Sequence, residues 1–79
     1  MRKHDRKPRF RMYDAIRGEW LSGIAWNRNE IAASEWTKAE PLAMWIHGLR
    51  RARQIRELLH GNYMIIIDVY GREVTKDVY

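Results

Sequence analysis

Across residues 37–60 the apolar positions fall on a helical period. Projected at about 100° per residue, Leu42, Trp45, Leu49, Ala52 and Leu59 share one face, with Ile46 and Ile55 at its edges. Thr37 and Glu40 have the spacing of a capping box, and Trp36 and Pro41 flank it as a hydrophobic staple. His60 stands in the last turn and Gly61 offers a left-handed residue beyond it. A long helix over about 37–60 is the expectation. Ahead of it, Ile16, Trp20 and Ile24 recur every fourth residue behind Asp14, a ready N-cap, and this stripe predicts a first helix over about 14–27. Gly18 and Gly23 each lower helix propensity by about 1 kcal/mol relative to Ala, which close approach of a second helix would explain. A polar break at Asn27, Arg28 and Asn29 then leads to a short helical turn over 30–35.

Past Gly61 the period changes to two. Residues 63–70 are rich in β-branched and aromatic types, Gly71-Arg72 fits a type II′ turn, and residues 73–79 supply a return strand. This register sets Val69 opposite Val74, Ile67 opposite Lys76 and Ile65 opposite Val78. The expected fold is therefore α+β: two main helices (about 14–27 and 37–60) with a C-terminal two-stranded antiparallel hairpin (about 63–70 and 73–79). An isolated hairpin is marginal in water, so it must cover the helices or pair with another chain. Its edge offers a seam for a second copy or a different partner.

Composition narrows the class. The chain has 79 residues, enough for one small domain, and no cysteine, so neither a disulfide nor a thiolate metal site is available and a reducing cytoplasm is the natural setting. No apolar run is long enough for a signal peptide or a membrane span. The net charge is +5, but residues 1–11 hold six Lys/Arg against one Asp, and the rest of the chain balances. A flexible basic arm over 1–11 and a single domain over 12–79 follow. Such an arm either attaches to phosphates by counterion release or serves as a solubilising tail. Its candidate contacts are Arg2, Lys3, Arg6, Lys7, Arg9 and Arg11, and the long helix adds Arg50, Arg51 and Arg53. Arg56 falls within the apolar stripe, where it either pairs with an acid such as Asp68 or serves a partner.

Catalytic signals do not emerge. His4, His47 and His60 are dispersed, Ser22 and Ser34 have no triad spacing, and the glycines form no phosphate loop. No enzyme, cofactor or metal site is expected. Of four tryptophans, Trp20 and Trp45 are expected to pack against each other. Trp26 and Trp36 bracket the middle linker, covering the core or serving recognition.

The segments Ala15-Ile16-Arg17-Gly18, Ser22-Gly23-Ile24-Ala25 and Trp45-x-x-Gly48-Leu49-Arg50-x-Ala52 resemble the ribosome modulation factor family. The linker here is longer, Leu49 stands for an aromatic residue, and the C-terminal hairpin has no counterpart. The resemblance implies two helices joined by a linker, binding to the small ribosomal subunit, Arg17 and Arg50 as RNA contacts, and Gly18, Trp45, Gly48 and Ala52 as packing residues. Charge and resemblance together lead to the expectation of a small basic regulator that binds nucleic acid, RNA or the ribosome first and DNA second. The alternative is a phage or mobile-element type module that inhibits a host protein through the hairpin edge or a Trp-centred patch.

Overall fold

A computed structural model describes residues 8–60 and 63–76. Among these residues the chain forms five strands and one α-helix: β1 (Arg9–Asp14), β2 (Glu19–Asn27), β3 (Glu30–Thr37), β4 (Ile46–His47), α1 (Leu49–Leu58) and β5 (Met64–Asp68). A 3₁₀ turn, Glu40–Leu42, lies between β3 and β4. The sheet is antiparallel throughout, so the two-helix arrangement expected from the stripes, and from the resemblance, is replaced by a mostly β domain to which the description "helical" does not apply.

Strand β1 is the hub. One of its edges pairs with β5 along Phe10–Asp14, in register Met12↔Ile66. Its other edge is divided, with Tyr13 and Asp14 pairing with β2 and Arg9 and Phe10 pairing with β4. The sequence Arg-Phe-Arg-Met-Tyr-Asp alternates strictly, so Phe10, Met12 and Asp14 turn inward while Arg9, Arg11 and Tyr13 share the opposite face. Arg9, Phe10 and Arg11, expected on the arm, therefore stand in a strand; Arg2, Lys3, Arg6 and Lys7 lie outside the described residues.

The first expected helix is β2 with its preceding turn. Its stripe was ambiguous, because a spacing of four residues suits the 3.6 period and the period of two alike. Asp14 does cap: its Oδ1 accepts from the N–H groups of Ile16 and Arg17 at 2.9 and 3.1 Å. The turn stops at Gly18, whose φ of +69° lets the chain reverse into β2 and leaves Ile16 70% exposed. Gly23 sits at a β-bulge, and a Cβ there would come within 3.2 Å of Glu35 Oε1. Asn27 pairs with Glu30, so Arg28 and Asn29 form a two-residue hairpin loop and residues 30–35 belong to β3 rather than to a helical turn.

The long helix survives only in its second half. Thr37 Oγ1 accepts from the N–H of Ala39 at 3.1 Å and Glu40 turns to Arg11, so the capping box does not form. Pro41 sits in the 3₁₀ turn, Leu42 is 67% exposed, and residues 46–47 are extended because they complete the edge of β1. Gly48 (φ +93°) precedes α1, which buries Ala52 and Ile55 and packs Leu49 and Leu59 at the margin. At its end the left-handed residue is His60 (φ +54°); Gly61 lies outside the described residues.

Strand β5 forms where expected, but its partner and its faces differ. It pairs with β1 and buries Met64 and Ile66, whereas Ile65 and Ile67 take the opposite face beside Tyr13 and Arg11. The return segment meets it at Ile67↔Glu73, so the two-residue turn gives way to a longer loop over 68–72, and Val78 lies outside the described residues. Asp68 dictates this loop: its Oδ1 accepts from the N–H groups of Tyr70 and Arg72, both at 2.9 Å. The far edge of β5, expected as a partner seam, is occupied by that segment, since Val74 N–H donates to the Ile66 carbonyl and Ile66 N–H to Thr75 Oγ1.

The core comprises Phe10, Met12, Leu21, Ile46, Ala52, Ile55, Met64, Ile66 and Val74, roofed by α1. Full burial of a side chain such as Met12 or Ile66 contributes roughly 1.5–3 kcal/mol. Helix α1 covers the inward face of β1, β4 and β5. The outward face of β1 is the one that carries arginine and tryptophan.

Candidate functional site

Two features share Arg9. The first is an open groove of about 1250 Å³ between α1, the start of β1 and the 68–72 loop. Arg50 and Arg53 line it from α1, Arg9 from β1 and Arg72 from the loop, together with Glu57 and Asp68. Helical spacing of three residues sets Arg50 and Arg53 on one flank. Neither has an ion-pair partner among the described residues. Asp68 is spoken for, because its Oδ2 accepts from Arg72 Nε at 3.0 Å. Backbone donation from Arg72, then from Tyr70, with the Arg72 side chain beside them, holds the Asp68 carboxyl below its usual range despite burial, which acts the other way. The loop is thus a fixed wall presenting Tyr70, which is 81% exposed and 5.6 Å from the Arg72 guanidinium.

The second feature is a ladder of cations and rings on the outward sheet face. Tyr13 and Trp20, a cross-strand pair, have ring centroids 4.7 Å apart at 54°. The Arg11 guanidinium lies 4.9 Å from the centroids of both Trp20 and Trp45, and the Arg9 guanidinium 4.6 Å from Trp45. Strand alternation places Arg9 and Arg11 on this face; Trp45 joins them because its neighbour Ile46 is buried in the core. The two indoles expected to pack against each other across two helices are instead joined through Arg11, and the ring partner of Trp20 is Tyr13. Glu40 anchors Arg11 through a 3.0 Å contact to Nη1.

Comparison with protein families, with curated proteins and with solved structures finds no match to this chain.

The arginines chosen from sequence separate into groups. Arg9, Arg50 and Arg53 meet in the groove, and Arg11 belongs to the ladder. Arg51 stacks at 4.5 Å on Trp26 and donates to Gln54, away from the groove lining. Arg17 lies beside Asp14 at 3.6 Å in the β1–β2 turn. Arg56 donates from Nε to the Met64 carbonyl at 2.6 Å, which makes it a tie between α1 and β5, with a main-chain acceptor in place of Asp68. Trp36 donates to Ser34 Oγ and, like Trp26, packs against the core. Sequence reasoning missed Arg72 and Tyr70. The signal was Asp68-x-Tyr70-Gly71-Arg72, an aspartate followed by residues whose N–H groups it can cap.

Among the described residues no three His, Asp or Glu side chains come together as metal ligands, and no helix is long and apolar enough to cross a membrane.

Proposed function

We propose that this chain is a nucleic-acid-binding regulator acting in the cytoplasm, with RNA, ribosomal RNA included, as its first partner and DNA as its second. The observation that carries the reading is that Arg9, Arg50, Arg53 and Arg72, from separate segments, line one open groove. Guanidinium groups brought together from a strand, a helix and a braced loop suit phosphate oxygens, which they can meet with paired N–H donors. Arg2, Lys3, Arg6 and Lys7 precede Pro8 in the sequence and lie outside the described residues. Phosphate contacts in the groove supply affinity, and the basic arm adds counterion release.

Fluorescence anisotropy with labelled RNA over a salt series tests this. Binding is expected to weaken steeply between low and physiological salt. Arg50→Glu with Arg53→Glu is expected to lower the slope of log K against log salt by about 0.7 for each single-strand phosphate that is no longer neutralised. Affinity indifferent to salt rules the mechanism out.

A host-protein partner is the second reading, favoured by the outer edge of β3, which has no pairing strand among the described residues. An added strand would satisfy that edge. Capture of one protein from lysate, unchanged by nuclease and by the groove substitutions, would favour this reading over the first.

A further inference from the structure

The ladder on the sheet face has one end closed and one end open. At the closed end Tyr13 and Trp20 are half-buried and in contact, and Arg11 is held by two indoles and by Glu40. At the open end Trp45 is 37% exposed, and Arg9 lies over it, exposed and without an ion-pair partner among the described residues. Arg9 also lines the groove, so groove and ladder are contiguous through one side chain.

We propose that this chain takes single-stranded nucleic acid in particular, and that an unpaired base replaces the Arg9 guanidinium over Trp45 while Arg9 swings to a neighbouring phosphate. The inference rests on the groove being the phosphate-binding surface and names the substrate class of that site. An indole ring binds a base face or a guanidinium plane by the same stacking, so the exchange leaves Trp45 covered in both states. Arg11 does not take part, since its two rings and Glu40 fix it; it gives Trp45 a rigid backing. A duplex buries its base faces in its own stack and offers Trp45 nothing to hold, whereas a single strand presents bases at every position. In this arrangement the phosphates would follow Arg9, Arg50 and Arg53, which line the groove, and a base would face Trp45.

The test compares three probes on the full native chain by fluorescence anisotropy: oligouridylate, an abasic ribose-phosphate strand of equal length, and an RNA duplex. Oligouridylate is expected to bind roughly tenfold tighter than the abasic strand, the scale of one base–aromatic stack, and tighter than the duplex. Trp45→Leu is expected to abolish that preference while leaving the salt dependence of abasic binding intact. If all three probes bind equally and with the same salt dependence, the groove reading stands and the stacking proposal is overturned. If none binds, both fall. The comparison of probes on the native chain requires no variant, so it decides the proposal even if Trp45→Leu folds poorly.

Discussion

Arg11 poses the sharpest energetic question in the domain. Its side chain is 12% exposed, bridges Trp20 and Trp45, and pairs with a Glu40 that is 55% exposed. Its Nε is buried with no hydrogen-bond partner among the described residues. Two partly desolvated cation–π contacts contribute about 0.5–2 kcal/mol each, and an ion pair to an exposed acid about 0–1 kcal/mol. The unsatisfied Nε–H costs about 1–3 kcal/mol. These terms nearly cancel, so the charge itself contributes little to stability and the value of Arg11 lies in its bulk between the indoles. Arg11→Met keeps that bulk, offers sulfur–aromatic contacts of about 0.3–1.5 kcal/mol, and removes the orphaned donor. It is expected to change unfolding free energy by less than about 1 kcal/mol. Arg11→Ala empties the space and is expected to cost about 2–3 kcal/mol, within the range for large-to-small changes at buried sites. Glu40→Gln is expected to cost under about 1 kcal/mol. Urea unfolding followed by circular dichroism, rather than by tryptophan emission, measures all three without disturbing the probe. A destabilisation above about 2 kcal/mol for Arg11→Met would refute the reasoning and make the guanidinium charge the organiser of this face.

Two further outcomes bear on the fold. His60 occupies a left-handed position after α1, so His60→Gly is expected to raise stability by about 0.5–1 kcal/mol in urea unfolding. Asp68 has a folded-state pKa below its unfolded value, so its ionised form stabilises the fold above roughly pH 4 and that contribution is lost as pH falls through the lower folded value. Asp68→Asn removes this titration. A series of urea melts from acid to neutral pH should then show a flatter acid limb than the native chain, and an unchanged limb would mean that the 68–72 loop does not depend on the carboxylate.

Much of the local chemistry was legible and was extended too far. Asp14 caps a turn as its type predicts, yet the turn ends at Gly18 because the next residues find a partner strand. Thr37 accepts a backbone N–H, but from Ala39, and the chain then turns through Pro41 instead of propagating a helix. From Leu49 onward the helical stripe is real, since Ala52 and Ile55 are buried as the projection places them. Strand β1 was hidden by its charges: two arginines alternate with Phe10 and Met12, and a count of Lys and Arg reads as an arm what a period of two reads as a strand. Of the candidate site, Arg9, Arg50 and Arg53 were visible as basic residues, whereas nothing in their spacing showed that they meet.

Local sequence alone dictates what some short segments do: Asp14 caps a turn, β5 forms near residues 63–70, the second half of the expected 37–60 helix forms as α1, and no cysteine staples the chain. Tertiary structure decided which of two periods each apolar stripe obeys, because pairing on both edges of β1 outweighs local helix propensity. It also decided the site. Arg9, Arg50 and Arg72 come from distant parts of the chain, and only the pairing of β1 with β4 and β5, with α1 packed across them, brings them to line one groove.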